Sequence, residues 1–178
     1  MGFGYTIPSP TVLLSSLGDY VATIEENSHV FSFPAIDFTG DSELILIVSG
    51  SAAAAFDLQL RINANATGNY FVDGRRINAG VETLIDLNSQ TEGELINTVF
   101  ITGAGAYFSG IGHIILPKGS SFTGIKTIFN GAGSGTGQQQ SSVLLSVDTD
   151  DVTDVEIRTS GGNWRVNTRF TLYRVNRT

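Results

Sequence analysis

Two histidines are the residues of this chain best suited to acid–base or metal chemistry. His29 follows a serine, and His113 lies in the run Ile-Gly-His-Ile-Ile, where its side chain is expected to point out of a strand. Their separation matches no zinc-ligand spacing, and no Gly-x-Ser-x-Gly nucleophile elbow accompanies them. The chain has no cysteine, which excludes thiol chemistry. Because no nucleophile, base and orienting partner can be assembled from these motifs, we expect a protein that is not an enzyme.

An acidic run over residues 148–154 contains the candidate metal ligands. Asp148, Asp150 and Asp151 could offer carboxylate oxygens to calcium, which takes several oxygen ligands held close together. The spacing of an EF-hand loop is missing, because the fifth-position carboxylate and the following glycine are absent. A solvated turn between two strands explains the run equally well. The sequence therefore predicts no cofactor, and calcium binding by this run remains the alternative.

Two glycine-rich segments raise the question of a phosphate-binding loop. Such loops direct backbone N–H groups at a phosphate from a helix N-terminus, with a lysine behind them. Residues 131–137 are followed by Gln-Gln-Gln instead of a lysine and an amphipathic helix, and residues 103–110 show no such pattern either. We expect surface loops over 64–69, 103–110 and 130–142, the last of them long.

Aromatic side chains could stack on sugar rings if they are exposed. Trp164 lies on the apolar face of an alternating run, which favours the core over a sugar platform. Tyr107 and Phe108 lie inside a glycine-rich stretch and are the candidate ligand-facing residues. They indicate a candidate carbohydrate or receptor site.

Apolar and polar side chains alternate repeatedly along the chain, which predicts β-strands. The candidate residues above would therefore be positioned by strands and their connecting turns. The clearest case is Phe-Asp-Leu-Gln-Leu-Arg-Ile over residues 56–62, and residues 164–172 alternate in the same way. Residues 43–48 are apolar on both faces, which predicts a central strand covered on two sides. Asp73-Gly74 predicts a two-residue hairpin turn. About ten strands separated by such turns predict an all-β, antiparallel two-sheet β-sandwich that is jelly-roll-like.

An extended N-terminal arm is expected to precede the sandwich. Four apolar residues between 11 and 24 would share a helical face, but Gly18 and the β-branched residues there favour an arm followed by a strand near Tyr20–Ile24. We therefore predict an arm over 1–19 and a β-sandwich domain over 20–178. Two prolines reduce the entropy that the arm loses on docking. The expected docking residues are Phe3, Tyr5, Ile7, Pro8, Pro10, Val12, Leu13 and Leu14.

Charge is distributed unevenly along the chain. The net charge is −7, yet residues 158–178 hold five arginines and no acidic residue. Arg165, Arg169 and Arg174 could form a charged interface with an acidic neighbour, including a second copy, or could solvate the outer face of one strand. The acidic total disfavours nucleic acid as a partner. No apolar run is long enough to predict a membrane span.

Three segments carry a resemblance to a known group of proteins. They are residues 31–36 (Phe-Ser-Phe-Pro-Ala-Ile) leading into 44–48, the pair 60–63 and 68–70 (Leu-Arg-Ile-Asn and Gly-Asn-Tyr), and 169–175 (Arg-Phe-Thr-Leu-Tyr-Arg-Val). In this order and spacing, they resemble the tailed-phage virion structural proteins that have a jelly-roll-like β-sandwich. The usual Ile-Pro and Tyr-Gly-Ile of that group are here Phe-Pro-Ala-Ile and Tyr-Arg-Val.

The resemblance implies a virion structural protein without catalytic residues, most simply a capsid decoration (cement) protein. Its partners would be further copies in a homotrimer and the major capsid or other virion proteins. Because no signal peptide is recognised, synthesis in the host cytoplasm and a final location in the virion are expected. The alternative is a carbohydrate- or receptor-binding module of a phage tail or fibre, with host-surface glycans as partners.

Overall fold

The computed structural model describes residues 12–33, 42–96, 103–116, 123–132, 136–145 and 153–177. Within these ranges all regular structure is β-strand, and nothing forms a helix that could cross a membrane. The strands are β1 (Val12–Val21), β2 (Ser28–Ser32), β3 (Ser42–Ser51), β4 (Leu58–Ile62), β5 (Tyr70–Asn78), β6 (Val81–Gln90), β7 (Gly93–Ile96), β8 (Tyr107–Leu116), β9 (Thr123–Ala132), β10 (Thr136–Leu145), β11 (Asp154–Thr159) and β12 (Arg169–Arg177).

The strands form two antiparallel sheets around one hydrophobic core. The eight-stranded sheet has the order β1-β12-β3-β8-β9-β10-β5-β6, and the four-stranded sheet has the order β2-β11-β4-β7. Alternate residues of β3 and β4, such as Leu46 and Leu60, are fully buried in the same core cluster. The all-β antiparallel sandwich predicted from alternation is therefore confirmed.

The strand order is that of a jelly roll with two added hairpins. Without the β5–β6 and β9–β10 hairpins, the sheets reduce to β1-β12-β3-β8 and β2-β11-β4-β7. Successive strands from β1 to β4 then alternate between the sheets, which is the connectivity of the double Greek key. The two hairpins lie beside each other and widen one sheet by four strands.

The hairpin turn predicted at Asp73-Gly74 is wrong. β5 continues through both residues, and the turn falls at Ala79 and Gly80, whose φ angles of 48° and 82° suit a type I′ turn. The longer strand keeps an unbroken ladder with β10 from Tyr70 to Asn78. Pairing on both sides of β5 outweighs the local preference of the Asp-Gly dipeptide.

The long loop predicted over 130–142 is also wrong. β9 reaches Ala132 and β10 begins at Thr136, so most of this segment is paired strand. Gln139 is fully buried on the core side and its Nε2 donates to Glu94 Oε1 of β7 at 3.0 Å. Because a polar side chain occupies a buried position, the apolar alternation that reveals a strand is hidden here.

The predicted N-terminal arm does not extend to residue 19. Its last part, residues 12–19, belongs to β1, an edge strand that pairs with β12, while residues 1–11 lie outside the described ranges. The register of β1 shifts between Ser16 and Gly18. A Cβ atom at Gly18 would lie 2.9 Å from the Phe31 ring, so this glycine lets the two sheets approach. Val12, Leu13 and Leu14 are therefore strand residues rather than parts of a free arm.

Candidate functional site

A row of three exposed isoleucines crosses the outer face of the eight-stranded sheet. Ile47 of β3 pairs with Ile111 of β8, which pairs with Ile128 of β9. Their exposures are 43%, 44% and 46%. We call these three residues the isoleucine row. The outer face of β3, predicted from its sequence to be covered, is thus open to solvent in the single chain.

Further apolar side chains extend this surface towards one end of the sheet. Ile45 lies two residues from Ile47 on the same face of β3, and Ile115 pairs with Glu43 beside it. Leu14 of β1 is 51% exposed and pairs with Val175 of β12. Glu43 and His113 lie among these apolar side chains on the same face, so the apolar surface is interrupted by this pair. Exposed apolar patches on a monomer are typical of interaction sites.

Charged groups of both signs border the isoleucine row. His113 Nε2 lies 3.1 Å from Glu43 Oε2, and Lys126 pairs in register with His113. On the other side, Arg75 and Glu82 form an exposed ion pair at 3.6 Å. A hollow of about 530 Å³ lies in this region, lined by Asp73, Gly74, Arg75, Leu84, Lys126, Ile128, Gln140 and Ser142.

The three arginines predicted as a charged interface do not share one surface. Arg169 lies on the outer face, where its guanidinium donates to both carboxylate oxygens of Asp19, at 2.9 and 2.6 Å. Hydrogen bonds from Arg169 and Thr171 lower the pKa of Asp19, and the same contact raises the pKa of Arg169. Arg174, five residues along β12, lies on the opposite face, and Arg165 precedes the strand.

Each of the two histidines contacts a side chain of a neighbouring segment. His29 stacks on Tyr20 with ring centroids 3.7 Å apart, and burial lowers the pKa of His29. His113 faces outward from its strand, as expected, and contacts Glu43. Neither lies in a group of three or more potential metal ligands among the residues that the structure covers.

A second hollow, of about 590 Å³, lies at the end of β3 and the beginning of β8. Tyr107, predicted to face a ligand, is 69% exposed at this hollow. We call it the Tyr107 hollow; its lining consists of Ser49, Gly50, Ser51, Tyr107, Phe108, Ser109, Asn130, Val166 and Asn167. None of these residues is charged.

Phe108, the other predicted ligand-facing aromatic, is only 2% exposed. Its ring packs edge-on against Phe56 in the core, with centroids 5.6 Å apart. Neighbouring residues of a strand point to opposite faces, so Tyr107 and Phe108 cannot both be exposed once this stretch is a strand. The expected exposed pair is thereby corrected to Tyr107 alone.

Gly50 allows the segment before β12 to close against the Tyr107 hollow. A Cβ atom at position 50 would lie 2.4 Å from Thr168 Oγ1 and 2.5 Å from its Cγ2. Thr168 is fully buried and its N–H donates to the Arg165 carbonyl at 3.1 Å, which holds the turn that presents Val166 and Asn167. The absence of a side chain at Gly50 thus shapes one wall of the hollow.

We expect Gly50→Ala to lower the free energy of unfolding by about 1–3 kcal/mol, because overpacking a filled site forces side chains and backbone to shift. Chemical denaturation of the variant measures this loss. Thr168→Ala removes Oγ1 and Cγ2, the two atoms nearest to the new methyl group, and leaves only Cβ at 2.8 Å. The double variant should therefore lose less than the sum of the two single variants, and strict additivity would contradict the contact.

Several predicted site residues cannot be placed. Asp148, Asp150 and Asp151 lie outside the described residues, as do Phe3, Tyr5, Ile7, Pro8 and Pro10 of the arm. Sequence reasoning missed the isoleucine row and the polar side chains of the Tyr107 hollow. The one available signal was the run over residues 43–48, which is apolar on both faces.

Comparisons with known proteins assign no family. No family model matches the chain, and no curated protein matches it. Among solved structures, the chain is similar to one described as the structure of the infectious bursal disease virus Gx strain, at 8% identity and a TM-score of 0.17. The likeness covers all of this chain and 45% of that chain. At this TM-score, the likeness carries no argument about fold or function.

Proposed function

We propose that this chain is a non-enzymatic structural protein of a virion, a capsid decoration protein that assembles with further copies of itself. The isoleucine row is the observation that supports assembly, because three large apolar side chains stand aligned and exposed. Burying a fully exposed side chain of this size is worth roughly 1.5–3 kcal/mol, and the isoleucines, which are 43–46% exposed, would gain about half of that each. The virion itself is proposed from the resemblance of segments 31–48, 60–70 and 169–175, together with the jelly-roll strand order.

A second copy is the proposed occupant of the outer face, because the row of residues across the sheet is self-complementary. From β1 to β5 the paired positions read Asp19, Thr171, Ile47, Ile111, Ile128, Gln140 and Arg75. A two-fold axis that runs parallel to β8 between the two outer faces would place Ile47 against Ile128 of the second copy. It would also place Asp19 across from Arg75 of the second copy. Apolar positions then meet apolar positions, and at both ends the Asp19–Arg169 ion pair faces the Arg75–Glu82 ion pair of the other copy.

We expect the purified protein to be an oligomer and Ile111→Lys to dissociate it. At a two-fold interface two lysines would be buried facing each other, so the dissociation constant should rise by at least about 100-fold. Sedimentation equilibrium measures the mass, and it distinguishes the two-fold dimer from the trimer that the resemblance implies. Val30→Lys is the matched control, since Val30 is 48% exposed on the four-stranded sheet. A wild-type chain that stays monomeric at high concentration would refute self-association.

Particle docking is tested separately. Residues 1–11 are proposed to lie across a neighbouring virion protein, so their removal should abolish cosedimentation with assembled particles while β1 stays intact. The control is the full chain carrying Val30→Lys, which retains both these residues and the isoleucine row. Normal binding by the truncated protein would disprove docking through the arm.

A further inference from the structure

We infer that the Tyr107 hollow is a binding site for a neutral carbohydrate. This goes beyond the proposed structural role, because a decoration protein needs no ligand site. Tyr107 presents a ring that is 69% exposed beside a hollow of about 590 Å³. Ligand sites commonly have volumes of about 300–1,000 Å³, with an apolar surface and a few convergent polar groups.

Polar side chains line the hollow in a register set by three strands. Ser49 of β3 pairs with Ser109 of β8, and Ser109 pairs with Asn130 of β9. All three side chains are exposed on the outer face of the sheet. Hydroxyl and carboxamide groups both donate and accept hydrogen bonds, which matches the hydroxyl groups of a sugar. Because neighbouring strands lie about 4.8 Å apart, the row spans roughly 10 Å and can contact hydroxyl groups of two adjoining sugar rings.

Tyr107 lies one step along its strand from this polar row. It shares the outer face of β8 with Ser109 and pairs with Ser51 of β3. The ring offers an apolar face with a polar hydroxyl tip, a combination suited to the C–H face and the rim hydroxyls of a pyranose. Val166, which is 45% exposed, adds an apolar contact on the lining. An aromatic platform beside a polar row therefore favours a sugar over a wholly apolar ligand.

The lining also decides the charge of the ligand. Among the described residues it consists of serine, asparagine, glycine, tyrosine, phenylalanine and valine, with no charged side chain. A carboxylate or sulfate placed there would lose hydration, which is unfavourable. The neighbouring Arg169, in register with Ser49, is already paired with Asp19, so it would not offset this loss as a free cation. Neutral hexoses and N-acetylhexosamines are therefore the expected ligands, and sialylated or sulfated glycans are not.

The hollow lies on the same face of the eight-stranded sheet as the proposed self-association surface. Tyr107 begins β8 and Ser51 ends β3, so the hollow lies at one end of the sheet. The apolar surface extends from the isoleucine row in the opposite direction, through Ile45 to Ile115. In the proposed two-fold dimer about β8, Tyr107 would face Tyr107 of the second copy, so sugar binding and self-association are expected to compete.

A glycan array with paired neutral and acidic oligosaccharides tests the inference on the full chain. We expect selective retention of neutral oligosaccharides, and Tyr107→Ala should weaken the binding of the best of them by about tenfold or more in titration calorimetry. Asn130→Ala should weaken it as well, because it removes a carboxamide from the polar row. Tyr107→Phe keeps the ring and should retain more binding than Tyr107→Ala.

Phe71→Ala supplies the matched control, because Phe71 is another exposed aromatic residue, on β5, and does not line the hollow. Its binding should equal that of the wild type. Three results would each overturn the inference: no retention of neutral glycans, a preference for acidic glycans, or unchanged binding by Tyr107→Ala. Repeating the titration with Ile111→Lys separates this site from self-association, since a monomer should still bind the sugar.

Discussion

Replacing Trp164 by alanine should lower the free energy of unfolding by about 3–5 kcal/mol, the usual range for deleting a large buried aromatic side chain. Trp164 is fully buried, and its ring meets Phe170 with centroids 4.7 Å apart. Its backbone N–H donates to the Glu26 carbonyl at 2.9 Å, and it also forms a bridge with Ala52. The residue therefore joins chain segments that are far apart in sequence, and alanine would leave a cavity among them.

Chemical denaturation followed by circular dichroism measures this loss, because Trp164 is the only tryptophan and its fluorescence disappears with it. Ile24→Ala is the control: Ile24 is 64% exposed, so its stability should change by about 0.5 kcal/mol or less. Trp164→Phe should lose less than alanine, since it retains a ring and removes an indole N–H that has no acceptor among the described residues. Equal stability of Trp164→Ala and wild type would contradict its central place in the core.

The sequence predicted those strands whose apolar residues face the core in strict alternation. β4 lies inside the predicted run 56–62, and its buried positions Leu58, Leu60 and Ile62 are the alternating ones. Trp164 was expected in the core and is fully buried. The burial of these side chains follows from an apolar residue at every second position, a pattern that is visible in the sequence itself.

Errors arose where a distant partner overrides the local pattern. At Asp73-Gly74 the local dipeptide favours a turn, but ladders with β6 and β10 keep the strand straight through it. Around Gln139 the polar residue is buried because Glu94, 45 positions earlier in the chain, supplies its partner. Neither partner can be identified from the residues of the segment itself.

The candidate sites depend even more on pairing between distant strands. The glycine-rich segment around Tyr107 predicted that this residue is exposed. The pairing of β3, β8 and β9 brings Ser49 and Asn130 close to it, and that pairing cannot be read from the local sequence. The isoleucine row likewise joins positions 47, 111 and 128. The sequence indicated that β3 is apolar on both faces, without showing that one face is open.

A buried hydroxyl supports the last prediction, which concerns stability at high pH. Tyr70 is fully buried, and its hydroxyl oxygen accepts a hydrogen bond from the Ile62 N–H at 2.8 Å. Burial raises the pKa of Tyr70 to about 12, whereas an unfolded tyrosine ionises near pH 10. The folded chain therefore holds this proton through a range in which the unfolded chain releases it.

As the pH rises from about 10 to 12, Tyr70 ionises in the unfolded chain but keeps its proton in the folded chain, which lowers the free energy of unfolding. Its contribution to stability is complete below pH 10 and falls by up to about 3 kcal/mol by pH 12, since one pKa unit corresponds to about 1.4 kcal/mol. Tyr70→Phe should cost about 1–3 kcal/mol at neutral pH, because the Ile62 N–H loses this acceptor.

The difference in unfolding free energy between wild type and Tyr70→Phe isolates this residue from every other group that titrates in alkali. It should shrink steadily above pH 10 and approach zero or change sign near pH 12, since the phenylalanine variant has no hydroxyl to ionise at this position. Phe71→Ala is the matched control, because it removes an exposed aromatic side chain without an ionisable group, so its difference from wild type should stay constant over this pH range. A difference that stays constant from pH 9 to 12 would mean that the Tyr70 hydroxyl reaches water in the folded protein.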